Sequence, residues 1–237
     1  MNDNCLLGFH QGWTDIIICI GLIFYNLEKY KKVTLLIRED SKPMFDYIFR
    51  NITNIEILYF IKSNEGGFVS KMRNKYSNYD QLFYGFCSAQ KGIKAGSYDF
   101  FYKQFGVNSE ESINKFIIDR DLNIELLKYN EITNKIGKEY IIVNEDSNRN
   151  LKINRDKINS TLPLFNLNNC SDINFDMIMT IENAKELHII STFWSAIIYL
   201  LQKKYNLFSN IPIYLHNYVR SGYYSFLYPY SNWIVLN

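Results

Sequence analysis

Three polar stretches carry residue types that could do chemistry. The first, His10-Gln11-Gly12-Trp13-Thr14-Asp15, follows a short apolar run and sets an imidazole close to a carboxylate. Either group could take a proton from an attacking hydroxyl. Asp15 suits the start of a helix equally well, where a carboxylate caps free N–H groups, and His10 suits an exposed loop, so spacing alone does not choose. Gly8 and Gly12 allow the backbone to turn tightly and approach a ligand closely. The second stretch, Asn144-Glu145-Asp146-Ser147-Asn148-Arg149, follows another apolar run. Its arginine could bind a diphosphate bidentately and hold the charge of a departing group, or could pair with Asp146 to order the loop. In the third, Ser191 and Thr192 lead from an apolar strand into a long apolar helix. Hydroxyls, unpaired N–H groups and the positive end of the helix dipole converge there on an anion, and ordinary capping by Ser191 does not exclude this. Glu182 could accept ribose hydroxyls or lie on a solvated helix face. His188, inside an apolar strand, reads first as a core histidine and stays in the candidate set. His216 and Arg220 are open to either kind of role.

The elements that must position these residues alternate. Cys5–Phe9 reads as a strand, and a helix capped by Thr14 or Asp15 runs from Ile16 to about Tyr30. Val33–Ile37 is a strand, Pro43–Phe49 a helix and Ile55–Phe60 a strand. Lys62–Ser77 is polar and expected as an exposed loop, while 98–105 and 109–136 are expected as helices ending at Gly137. In the second half, 139–143, 163–167, 187–190 and 211–215 read as strands and 175–184 and 193–205 as helices, with 211–215 closing the series. Such alternation implies parallel sheets with right-handed crossovers. Ligands then bind beyond the carboxyl ends of the strands, where all three polar stretches fall.

Composition narrows the function. With 237 residues, 47% of them hydrophobic, the chain can bury one large core or two compact ones. A net charge of +2, with both signs interspersed, gives no field that would make nucleic acid the expected partner. The 4 cysteines lack paired spacing, so neither a zinc site nor a disulfide framework is implied, and a cytoplasmic location is expected. The apolar run Ile16–Tyr25 falls short of the roughly 20 residues of a membrane span, and no transmembrane segment is expected. There is no HExxH and no DxD between strands, so no metal and no other cofactor is expected. Gly8 and Gly12 lack the GxGxxG spacing of a dinucleotide site, which disfavours an NAD-dependent enzyme.

The stretch Gly8-Phe9-His10-Gln11-Gly12-Trp13-Thr14-Asp15-Ile16-Ile17-Ile18-Cys19-Ile20-Gly21-Leu22 resembles the HxGxGDxIxxxGL opening of a family of short GT-B-type glycosyltransferases. Asn144–Arg149 is similar to that family's HDDPSR element, and Glu182–Phe193 to its ExAxEIHxxDSSF element, in the same order along nearly the whole chain. Thr14 stands in place of a glycine, and Asn144 and Asn148 in place of His and Pro. The resemblance implies a compact α/β chain of two Rossmann-like domains facing each other across a cleft, with residues 1–136 on the acceptor side and 137–237 binding a nucleotide-sugar. It implies metal-independent transfer of a hexosyl or deoxyhexosyl group to a glycan or other hydroxyl acceptor. Asp15 and His10 fall at the catalytic loop beside Gly8 and Gly12. Arg149, Asp146, Ser147, Glu182, His188, Ser191 and Thr192 fall on the donor side. A non-catalytic nucleotide- or glycan-binding protein on the same fold is the alternative.

Overall fold

Continuous β-branched and leucine-rich runs bury both faces of a strand, as they do over 5–7, 33–37 and 141–143. The computed structural model describes residues 3–9, 13–84, 100–104, 106–146, 149–169, 173–219 and 233–237. It divides into two compact units, Met1–Ile118 and Asp119–Asn237.

In the first unit, β1 (Asn4–Phe9), β2 (Lys32–Arg38), β3 (Ile55–Phe60) and β4 (Asp80–Tyr84) form a parallel sheet in the order β3-β2-β1-β4. Cys5, Leu6, Leu7, Val33, Leu35 and Leu36 lie fully buried in it. The helix expected from Ile16 to Tyr30 is two helices, α1 (Trp13–Ile18) and α2 (Ile20–Lys29). The break is at Cys19, whose N–H bonds the Ile16 carbonyl at 3.0 Å in a tighter turn. α3 (Lys42–Phe49) has Pro43 in its first turn, where no donor is lost.

The loop expected over 62–77 is instead mostly a helix, α4 (Glu65–Lys75). Only Val69 and Met72 of it are buried, packed with Leu36 and Phe60, too thin an apolar stripe to stand out in a polar sequence. β4 was likewise not expected. α5 (Phe100–Lys103) lies within the helix expected over 98–105.

The single helix expected over 109–136 is α6 (Glu111–Asn114) and α7 (Leu122–Ile136), separated by a segment that buries Phe116 and Ile118. Asp121 restarts the helix, its Oδ1 accepting the N–H groups of Asn123 at 3.1 Å and Ile124 at 3.2 Å. Gly137 stops it at φ 91°, a backbone region that suits glycine.

In the second unit, β5 (Ile141–Val143), β6 (Leu164–Asn166), β7 (Glu186–Ile189), β8 (Ile213–His216) and β9 (Trp233–Leu236) form a parallel sheet in the order β6-β5-β7-β8-β9. α8 (Ile178–Glu182) precedes β7, and α9 (Phe193–Tyr205) follows it. β9 extends the sheet past β8, one strand beyond the strand expected over 211–215.

The boundary expected at Gly137 falls earlier, at Ile118, and α7 packs within the second unit. An ion pair explains this. Arg120 Nη2 lies 2.5 Å from the fully buried carboxylate of Glu125 and 2.6 Å from that of Glu182 on α8. Glu125 also accepts the Met179 N–H at 3.1 Å. Among the described residues, no helix is long and apolar enough to cross a membrane.

Candidate functional site

Strand order locates the sites. A ligand crevice opens where successive crossovers leave a strand to opposite sides, at the carboxyl ends. In the first sheet that point lies between β1 and β4, where Phe9 pairs with Tyr84. The loop it feeds contains His10 and Gly12, which lie outside the described residues, and Asp15 follows within α1. Gly8 is not in a loop. It sits in β1, and a Cβ there would meet the Phe83 ring at 2.5 Å, so this glycine admits the ring of the neighbouring strand rather than a ligand. Gly21 has a comparable role on α2, where a Cβ would meet the Glu111 carbonyl at 2.5 Å.

In the second sheet the point lies between β5 and β7, so Asn144 and the pair Ser191–Thr192 meet there. The Asn144 N–H bonds the His188 carbonyl at 2.8 Å. Thr192 Oγ1 donates to Asn144 Oδ1 at 2.5 Å, and Asn144 Nδ2 donates to Asn168 Oδ1 at 3.1 Å. Ser195 Oγ accepts the Thr192 N–H at 3.0 Å and donates to the Thr192 carbonyl at 2.6 Å. Ser191 and Thr192 are 5% and 9% exposed. The expectation that Thr192 presents its hydroxyl proton to a phosphate meets this bond, since the proton is already given to Asn144. Thr192 spends its hydroxyl proton on Asn144, and Thr192 and Trp194 at the start of α9 are buried while Phe193 between them is half-buried.

The exposed polar surface at this edge comes from the segment after β5. Asp146 and Leu151 form an antiparallel bridge, and Asn150 turns the chain between them at φ 53°. Arg149 rests against Asp146, Nε to Oδ2 at 3.5 Å, and its side chain is 58% exposed. Ser147 lies outside the described residues. Ile153 packs with Ile141, Val143 and Ile190, with Leu151 and Val219 against them, and this anchors the segment on the sheet.

Glu145 then acts as a bracket. It accepts the Ile153 N–H at 3.0 Å and Asn166 Nδ2 at 3.3 Å, and pairs with Arg155 at 2.9 Å. Asn154 caps the short turn Arg155–Lys157 by accepting the Asp156 N–H at 3.0 Å. Arg155 remains 46% exposed, with most of its guanidinium donors unspent on Glu145. Arg155 and Lys157 went unnoticed in the sequence because they fall in a stretch with neither apolar period nor motif.

Glu182 and His188 are placed elsewhere. Glu182 ends α8, just before β7 begins, and its carboxylate pairs with Arg120 at 2.6 Å. His188 is 1% exposed, so it cannot meet a ligand directly, and it belongs to a buried chain of hydrogen bonds. His188 Nε2 lies 3.0 Å from Glu186 Oε2, and its Nδ1 lies 2.9 Å from His216 Nε2. His216 Nδ1 lies 2.9 Å from the Tyr218 hydroxyl, which accepts the Asn154 N–H at 2.9 Å.

Pairing of His188 with Tyr214 on β8 explains the geometry, because His216 then lies two residues along on the same face. The His188 and Tyr214 rings stack at 4.6 Å. The signal in the sequence was Glu-x-His on one strand and His-x-Tyr at the end of the next, both at strand period. Burial lowers the pKa of His188, although Glu186 opposes the shift. Burial, with the charges of His188, Lys157 and Arg155, lowers that of His216 to about 4.

Neutral imidazoles leave one consistent arrangement of protons. The carboxylate of Glu186 takes the proton of His188 Nε2. His188 Nδ1 must then accept from His216 Nε2, and His216 Nδ1 must accept from Tyr218.

The chain has the fold of a solved glycosyltransferase. It aligns with the crystal structure of the glycosyl transferase family 9 from Veillonella parvula DSM 2008 at a TM-score of 0.54, with 10% identity, over 99% of this chain and 85% of that one. E. coli heptosyltransferase WaaC with ADP-2-deoxy-2-fluoro heptose aligns at a TM-score of 0.48, with 9% identity, over 98% of this chain and 92% of that one. No protein-family model and no curated protein sequence matches the chain. The structural likeness establishes a mixed α/β, GT-B-like fold with parallel sheets.

Proposed function

We propose that the protein is a metal-independent glycosyltransferase, moving a sugar from a nucleotide diphosphate to a glycan or other hydroxyl acceptor. One observation carries the reading. The carboxyl edge of the second sheet, at its topological switch point, seats the exposed guanidinium groups of Arg149 and Arg155 with Lys157 nearby in sequence. The fold likeness supports it.

In this reading the second unit binds the donor. Arg149, Arg155 and Lys157 take the diphosphate charge that grows as the glycosidic bond breaks, which is the work a metal would otherwise do. Asn144, Ser191 and Thr192 support that edge from beneath. Asp15 or His10 removes the proton of the acceptor hydroxyl as it attacks the anomeric carbon. Arg149 and Arg155 are each paired with a carboxylate, but both guanidinium groups are about half exposed and each carries five N–H donors, so a diphosphate can share them.

Release of nucleoside diphosphate from UDP-, GDP-, ADP- and dTDP-sugars tests the reading. Turnover that is lost in Asp15→Ala, while donor binding is retained, is the expected result. Binding without turnover, for every donor and with a panel of hydroxyl acceptors present, would favour a nucleotide-binding protein on the same fold. Absence of binding would reject both.

A further inference from the structure

The chain Glu186–His188–His216–Tyr218 is polar in one direction. With both imidazoles neutral, every proton points away from the carboxyl edge, toward Glu186. Tyr218 spends its own proton on His216 and offers the edge only lone pairs, one of which already accepts from Asn154. Yet Tyr218 is 37% exposed, and its ring lies 5.8 Å from Lys157 Nζ, on the turn assigned above to the diphosphate. An anion arriving beside this hydroxyl meets oxygen lone pairs and is repelled.

Adding one proton removes the conflict. If His216 Nδ1 takes a proton from solvent, that nitrogen becomes the donor to the Tyr218 oxygen. The phenol O–H is then free to turn outward and donate to the anion. Its oxygen can still accept from both His216 and Asn154, since a hydroxyl has two acceptor sites. One N–H bond forms, no bond of the ligand changes, and the proton returns to solvent when the ligand leaves.

The charges around the pair favour the same coupling. Arg155 and Lys157 oppose an imidazolium at His216, Glu186 favours one at the far end of the chain, and Tyr214 only stacks on His188. An anion that neutralises Arg155 and Lys157 relieves the opposition as it binds, so ligand and proton each favour the other's arrival.

We propose that a diphosphate binds at this edge together with one proton, held by the His188–His216 pair, which reverses the Tyr218 hydrogen bond toward the ligand. This deepens the donor-site reading and rests on it.

Calorimetric titration of the full chain in buffers of different ionisation enthalpy counts the protons taken up. UDP-glucose, GDP-mannose and ADP-glucose are suitable probes, because their pyrophosphate diesters carry no group that titrates near neutral pH. The probe that binds should draw up to one proton per site from the buffer. Its affinity should rise as pH falls, by up to about tenfold per unit. Tyr218→Phe, a change at a partly exposed position whose folding is checked by its melting temperature, should bind with no uptake and a flat pH profile, and His216→Gln should do the same.

Binding by the wild type without uptake would overturn the proposal and leave the donor site standing, as would uptake unchanged in Tyr218→Phe. Failure of every probe to bind would overturn both. Uptake on binding, with no sugar transfer to any acceptor, would support the proton coupling and refute the enzyme.

Discussion

The His188–His216 pair should make the stability of the second unit depend on pH between about 4 and 6.5. His216 is fully buried and its pKa falls from an ordinary 6.5 to about 4, because burial, the neighbouring His188 and the cations of Lys157 and Arg155 disfavour the charged ring. The unfolded chain therefore binds more protons than the folded one between those values. The stability contributed by this group is fully present above about pH 6.5 and is lost as pH falls toward 4. At 1.36 kcal/mol per unit the loss amounts to about 3 kcal/mol, to which His188 adds in the same direction because its pKa is also lowered. Urea unfolding followed by the fluorescence of the buried Trp194 and Trp233, both in this unit, measures it across that range. His216→Gln keeps a donor toward His188 but cannot titrate, so its stability should start lower at neutral pH and decline less on acidification. If the mutant and the wild type lose stability with the same slope, the histidines are not neutral in the folded protein and the assignment of protons along the chain is wrong.

Arg120→Met strands the fully buried carboxylate of Glu125 and should cost about 3–5 kcal/mol in urea unfolding, most of it recovered by adding Glu125→Gln. Gly8→Ala and Gly21→Ala should both lower the melting temperature, and Gly21→Ala more so, because the Phe83 ring beside Gly8 can rotate while the Glu111 carbonyl beside Gly21 is backbone. Thr192→Val leaves the Asn144 oxygen without the threonine hydroxyl and should cost about 1–3 kcal/mol of stability in urea unfolding. Arg155→Ala should weaken nucleotide-sugar affinity by roughly tenfold, the loss of about one charged hydrogen bond.

What the sequence made legible was what burial writes into it. β1, β2, β3, β5 and β7 are nearly continuous apolar runs and were readable within a residue or two, as were α3, α9 and the glycine that stops α7. α4 was unreadable for the opposite reason, since it buries two side chains and shows the solvent a mixture of Gly, Lys, Arg and Asn. The break between α6 and α7 was hidden because the buried Phe116 and Ile118 preserve an apolar rhythm across it, and only Asp121 marks the restart. At the site, the loops were found because polar residues follow buried strands, yet the roles within them depend on partners remote in sequence. Glu182 meets Arg120, and Thr192 meets Asn144. Neither pairing leaves a mark at either position alone.

The bond between Thr192 and Asn144 at the start of α9 also bears on how the second unit would hold the proposed donor. A helix N-terminus holds a phosphate through backbone N–H groups only if the phosphate can reach them, and the buried Ser191 and Thr192 stand at the tip. In the proposed reading an anion at this edge is met chiefly from the 149–157 segment, by guanidinium and ammonium groups. Such groups bind through charge that water screens, whereas a buried hydroxyl relay does not lose strength to solvent in the same way. The side chain that joins the two regimes is Tyr218, with its hydroxyl bonded inward to His216 and its ring beside Lys157. Affinity at this edge should then divide into a salt-sensitive part from Arg149, Arg155 and Lys157 and a pH-sensitive part that passes through one phenol oxygen.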